Sequence, residues 1–454
     1  MKSDIKANKE NELFSNRMLL QLMIPLVIEL ALTLVVGLTD SIMVSSAGEA
    51  AVSGVSLVDT VMQLIIYIFS AMATGGAVVA GQYLGSGKKE EARTSAAELI
   101  WLNAVLSVGI TAVVLAASGW MLRSLFGQIT HDVYENARVY LLITALSIPG
   151  IGLYEAGAAV FRTMGNAAVT MKISAIMNLI NVAGNAILIY GCSMGTRGAA
   201  IATLLSRTVA AVCIILLLLD SKQELYLERT WNHRFKWSQT KKILLVGIPG
   251  GVENGIFQLG KIVLLSFVSA FGTAAIAANA ITQTIASIQV IPGSAIQLGI
   301  VTVISRCIGA GDYGQAVHYN RKLIRYSYGA LALLDIPVFL CLPWILKLYH
   351  LSPETAELTR NMVFWHTLGA VVIWPLSFDL PASLRAAGDV RFVMILSILS
   401  MWVCRIGGAW LFARVMGLGA VGVWMAMAVM DWGTRAVIYS VRWKCGIWKQ
   451  KRVI

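Results

Sequence analysis

The stretch IELALTLVVGLTDSIMV, residues 28–44, is nearly all apolar yet carries two carboxylates, Glu29 and Asp40. A charge at mid-bilayer costs about 2.5–3.5 kcal/mol on insertion scales, so acids kept in such a run face a bundle interior or water. On a helix the two lie three turns apart with about 20° of drift, so they share one face, roughly 16 Å apart along the axis. Pro25, one turn before Glu29, lacks the N–H of a helix interior and marks a hinge. Two roles are open to these acids. They can bind and release a cation, or they can be structural groups paired with Ser, Thr or backbone near an interface.

Further polar residues interrupt other apolar runs. In NLINVAGNAILIYG (178–191), Asn181 and Asn185 stand one turn apart on one face. They can form packing hydrogen bonds between helices, or offer oxygens to a small hard cation. Glu253 follows Pro249 by the interval at which Glu29 follows Pro25. Lys261 is a rare cation within an apolar run. It sits about 80° around the helix from Glu253, which argues against a direct pair; it either neutralises a cavity acid or snorkels. Asp59, Asp335, Asp379 and Asp431 also lie in or near apolar runs.

Other chemistries have no residues to carry them. There is no GxxxxGK[ST] phosphate loop, no HExxH and no Ser/His/Asp set. An enzyme and a nucleotide-driven pump are not expected, nor is a cofactor. The six cysteines form no CxxC or metal spacing and read as small core residues or bystanders, with no disulfide framework.

The elements that must position these residues follow from composition. The 454 residues are 57% hydrophobic and only 13% charged, where a soluble domain is about a quarter charged. Long uncharged runs recur along the whole chain, which predicts an all-α polytopic membrane protein rather than a strand barrel. About 12 transmembrane helices are expected, near 17–46, 51–81, 95–122, 134–160, 167–190, 197–219, 241–270, 273–305, 322–347, 357–385, 391–413 and 420–441. The polar N-terminal segment lacks the form of a cleaved signal peptide.

The net charge of +12 is spread in short segments between apolar runs, so it sets orientation and does not point to nucleic acid. With the N-terminus inside, 26 Lys and Arg fall in inner segments and six in outer ones. Both termini are therefore expected in the cytoplasm, in a multi-pass protein of the inner (plasma) membrane.

The chain also repeats. Shifted by 224 residues, 24–92 falls on 248–316 with 16 identities in 69 ungapped pairs. Ile24-Pro25 meets Ile248-Pro249, Glu29 meets Glu253, and LGSGKKEEA (84–92) meets IGAGDYGQA (308–316). FRTMGN (161–166) resembles SLRAAGD (383–389) at a shift of 223. Asp40 has no twin; Leu264 holds its place. Two six-helix lobes related by a pseudo-twofold axis are expected, 1–219 and 241–454, joined by a polar cytoplasmic linker at 220–240. Such repeats commonly enclose a site and rock around it.

These features together resemble the MATE family, the multidrug and toxic compound extrusion transporters of the multidrug/oligosaccharidyl-lipid/polysaccharide flippase superfamily. The resemblance spans almost the whole chain. It rests on Pro25 with Asp40, GEAAVSGVSL (48–57), LGSGKKEEA, FRTMGN and GAAIAT (198–203). It implies alternating access and export of organic cations against an inward flow of Na⁺ or H⁺. It further implies an ion-coupling set of Asp40, Asn181, Asn185 and Thr203, which would be metal ligands if the ion is Na⁺. Asn185 departs from that pattern, which has Asp there and so one more negative charge. Another branch uses a Glu like Glu253, which leaves the ion open. Glu29, Glu253 and Lys261 are the expected substrate-cavity residues, with Pro25 and Pro249 as hinges. The expected partners are small organic cations and membrane lipid, and the expected state is a monomer. The alternatives are a lipid-linked oligosaccharide flippase of the same superfamily, and a non-pumping channel or scaffold.

Overall fold

The computed structural model describes residues 12–127, 130–228 and 235–454. The first eleven residues of the polar N-terminal segment, and Arg229 and Arg234 of the linker, lie outside the described residues. Every regular element among the described residues is helical. The chain runs α1 Asn16–Ser45, α2 Glu49–Gly85, α3 Lys89–Phe126, α4 His131–Ala145, α5 Ile148–Thr163, α6 Ala167–Asn185 and α7 Gly195–Leu218. It continues through α8 Trp237–Ser269, α9 Thr273–Gln289, α10 Ile291–Gly309, α11 Tyr313–Leu340, α12 Leu342–Leu348, α13 Pro353–Val372 and α14 Leu380–Ala386. It closes with α15 Val390–Leu399, α16 Gly407–Ala409, α17 Gly419–Met425 and α18 Gly433–Lys444.

Nine of these helical stretches are long and apolar enough to cross a membrane, and eleven if each of two bent pairs is one span. The bent pairs are α4 with α5, at 49°, and Pro353–Val372 with Pro375–Ala386, at 62°. Large apolar side chains point outward along these helices; Leu333 is 79% exposed and Trp120 72%. Outward apolar surface on this scale suits lipid, not water.

Besides 134–160 and 357–385, which appear as the two bent pairs, the expected spans 273–305 and 322–347 differ from the helices observed. The run 273–305 breaks between α9 and α10, because Pro292 sits in the first turn of α10 where its missing N–H costs nothing. Its counterpart in the first repeat is Ile68, and α2 runs through unbroken. The run 322–347 begins earlier, at Tyr313. Asp312 caps α11 by accepting from the Gln315 backbone N–H at 2.9 Å, and the Gln315 side chain returns to it. That cap lies in polar sequence, where hydropathy gives no signal.

Contacts divide the chain into two compact units, 24–251 and a second made of 1–23 with 252–454. The linker boundary at 220–240 is a break in sequence, whereas the contact boundaries fall inside helices. One is in α1, two residues before Pro25, and the other in α8, just past Pro249. Both prolines lie within continuous helix. Each unit has its own apolar core. One gathers Val58, Phe69, Leu141 and Ile148 among others, the other Ala278, Leu331, Met362 and Trp432.

Close approach of α2 and α8 in the first unit depends on glycine. A Cβ on Gly75 would stand 2.7 Å from the Ile243 carbonyl oxygen and 2.9 Å from the Gly247 nitrogen, both rigid backbone. We therefore expect Gly75→Leu to destabilise the folded protein by about 1–3 kcal/mol, the usual cost of overpacking. Gly109→Leu, at a position with nothing within 4 Å, should not. Thermal unfolding of the two purified variants checks this.

Candidate functional site

Asp40 sits on the third turn of α1 after Glu29 and is half-buried. Asn185, at the end of α6, donates from Nδ2 to Asp40 Oδ1 at 2.7 Å. Asn181, one turn earlier, places an amide against the same carboxylate. Set with its nitrogen toward Asp40, it donates to Oδ1 at 2.7 Å and to Oδ2 at 3.0 Å; the opposite setting would oppose two acceptors. Its other amide atom lies 3.3 Å from Thr203 Oγ1 on α7. So the four residues of the expected ion-coupling set meet at one place within the first unit. Asn185 Oδ1 is buried there without a hydrogen-bond partner. A π-helical segment, Ala186–Gly191, begins right after Asn185, a deformation often found at functional sites.

Three more residues join this cluster. Asp59 on α2, one of the acids in or near apolar runs, accepts from the buried Tyr140 hydroxyl on α4 at 3.3 Å. Arg207, one turn after Thr203, is close enough to both Asp40 and Asp59 to attract them. It also donates to Ser147 Oγ at 3.1 Å. Two carboxylates and one guanidinium leave a formal charge of minus one. Asp59 and Arg207 carried a sequence signal, as charges in apolar runs; Tyr140 carried none.

Glu29 and Glu253 have the same kind of partner in each unit. Glu29 accepts from Thr170 Oγ1 at 2.6 Å and from the Tyr154 hydroxyl at 3.2 Å, with Arg162 at 3.9 Å. Glu253 accepts from Arg385 Nη2 at 2.7 Å. Arg162 and Arg385 are the arginines of FRTMGN and SLRAAGD. The repeat therefore held both members of both pairs. Glu253 Oε2, unlike the Glu29 oxygens, is buried with no hydrogen-bond partner.

Lys261 is not Glu253's partner, as its angle on the helix implied. Its Nζ lies 5.5 Å from the Phe257 ring centroid, and Arg405 packs on the same ring at 5.6 Å. Arg405 reaches Asp431 Oδ2 at 3.7 Å, while Asp431 Oδ1 accepts from Ser400 at 2.6 Å. Arg435, 3% exposed, stacks on Phe378 at 4.6 Å and attracts Glu253. Among the described residues no group of three His, Cys, Asp or Glu could hold a metal ion.

The MatE family model matches residues 25–187 and again 249–411, two segments that start and end 224 residues apart, each beginning on a proline within a helix. The chain belongs to the MatE family. Like other MATE transporters it is a multi-pass membrane carrier and not an enzyme. An uncharacterized transporter of Bacillus subtilis, YisQ, is 28% identical over 94% of each chain. A probable multidrug resistance protein NorM of Thermotoga maritima is 25% identical, covering 96% of this chain and 94% of its own. Among solved structures, a multidrug resistance MATE family transporter in an outward-facing conformation superposes with a TM-score of 0.88 at 22% identity, covering 95% of this chain and 96% of that one. A Pyrococcus furiosus transporter of the same MOP superfamily, described as having a binding pocket of reverse polarity that suggests a different function, superposes at 0.87, with 22% identity and the same coverage.

Breaking one member of a buried ion pair leaves the other charge uncompensated. Arg385→Met should cost about 3–5 kcal/mol of stability, and adding Glu253→Gln should restore part of it. Unfolding of the single and double variants reads the coupling; additive losses would remove the pair from the account.

Proposed function

We propose that this MatE family member is a cation-coupled antiporter that exports small organic cations by alternating access, with Asp40 as the coupling group. The observation that carries this reading is the Asp40 carboxylate, set in an apolar helix and held by Asn181 and Asn185 amide donors. A cation that neutralises Asp40 removes its demand for those donors. The contact between α1 and α6 then weakens, and α1 is free to bend at Pro25. Pro249 serves the matching bend in α8. The orientation, both termini in the cytoplasm of a plasma-membrane protein, is supported by the excess of Lys and Arg in inner segments.

A proton suits the cluster better than Na⁺. The formal charge of minus one needs a single positive charge. The Arg207 guanidinium already occupies part of the field that a metal ion would use. Asn185 offers a neutral oxygen where a second carboxylate would favour Na⁺. An inward proton gains about 2.3 kcal/mol per 100 mV of membrane potential, enough to bias release outward. A substrate cation reaching Glu29 or Glu253 would compete with Arg162 or Arg385 for the carboxylate, with aromatic faces adding attraction.

Efflux of a permanently cationic dye from energised vesicles, with pH and Na⁺ gradients imposed separately, tests this. The pH gradient should drive efflux, and Asp40→Asn should slow it at least about tenfold, the equivalent of 1.4 kcal/mol of barrier. Efflux indifferent to both gradients would overturn the antiport reading. Normal efflux by the variant would return Asp40 to a structural role.

A further inference from the structure

The second unit contains a small cavity that the cation-export reading does not use. It is lined by Lys261, Asn279, Gln283, Arg405, Trp424 and Met427, with Leu264, Leu265, Val268 and Val423 as further apolar wall, and holds about 70 Å³. All its polar residues are cationic or neutral, and no carboxylate lines it.

Its two cations are poorly compensated. Lys261 and Arg405 flank the Phe257 ring from 5.5 and 5.6 Å and repel each other. Arg405 meets Asp431 only at 3.7 Å, and its Nε is buried with no partner. Asn279 Oδ1 is taken by the Trp424 indole N–H at 3.0 Å, so the amide nitrogen is what Asn279 can offer the cavity. The lining is thus rich in donors and has two like charges in contact with apolar walls. Lys261 is exposed and Arg405 half-buried, so a solute can reach both.

We propose that this cavity binds a single oxyanion group, a carboxylate or a phosphate monoester, carried on an apolar organic body. Lys261 supplies the point charge, Arg405 and Asn279 directed donors, and Leu264, Val268 and Trp424 the apolar contact. The volume is about that of two waters in the liquid, taking roughly 30 Å³ each. It therefore takes the anionic head, and the body lies beyond it. Bound anion would also relieve the repulsion between the two cations.

Geometry favours this over a packing role. Glu253, Phe257 and Lys261 follow one another at one-turn spacing on α8. Glu253 is claimed by Arg385 at 2.7 Å, and Lys261 has no carboxylate within ion-pair range among the described residues. A lysine kept only for packing on Phe257 would not need an arginine against the same ring.

The test is equilibrium binding to purified full-length protein in detergent, which needs no gradient and so stands apart from the antiport reading. The probes are dansylglycine, its methyl ester and a dansyl-alkyl phosphate. One charge-assisted contact implies that each anion binds about tenfold or more tightly than the neutral ester. Lys261→Gln should reduce that preference to near unity, and Lys261→Arg should keep it. Whichever anion binds more tightly identifies the head group. Equal binding of acid and ester by the native protein would overturn the proposal without any variant. An undiminished preference in a folded Lys261→Gln would also overturn it.

Discussion

A charge that cannot reach bulk water is costly unless another group of the protein meets it. In this chain that demand is answered twice by the same device. A glutamate one turn after a helix proline meets an arginine far along the same repeat: Glu29 with Arg162 and Glu253 with Arg385. Each pair fixes its helix one turn past a proline, where the backbone has lost a hydrogen bond and bends most readily. The contact boundaries fall within two residues of each proline. The two pairs are not equal in detail. Glu29 leans on Thr170 and Tyr154, with its arginine at longer range, whereas Glu253 takes its arginine directly.

On this shared frame the two units carry opposite chemistry. In the first, Asp40 and Asp59 outnumber Arg207, and amide donors converge on one carboxylate. In the second, Leu264 stands where Asp40 would be, and the band from Glu253 to Lys261 holds four cations and two carboxylates. A duplicated scaffold with one acid-rich and one base-rich centre can treat a coupling cation and an anionic group in separate places. Neither centre has to compromise for the other.

The helices that carry these groups depart from regular α geometry where the groups sit. Asn185 precedes a π segment, Arg405 lies in Ser400–Ile406 and Asp431 in Ala426–Trp432. A π turn leaves backbone groups less well paired and rotates the side chains that follow it. It can turn a polar residue toward a partner that ideal periodicity would miss.

Much of this was legible in the sequence, because hydropathy, proline and repetition act locally. Long apolar runs need helices in a bilayer, wherever their neighbours are. The 224-residue shift located both prolines and both glutamates, and the family resemblance implied the set of Asp40, Asn181, Asn185 and Thr203. What a buried charge touches was not legible. Arg162 and Arg385 were visible in the repeat but not as partners, since pairing depends on which helices pack together. Tyr140 joins the Asp40 cluster through α4 with no local mark, and Lys261 and Arg405 share the Phe257 ring although they are far apart in sequence. The sequence by itself determined a duplicated helical membrane carrier with a charged residue set in its apolar runs. Only the tertiary structure decided which charges meet a partner and which do not, because long-range electrostatic pairing is set by distance in space and not by spacing along the chain.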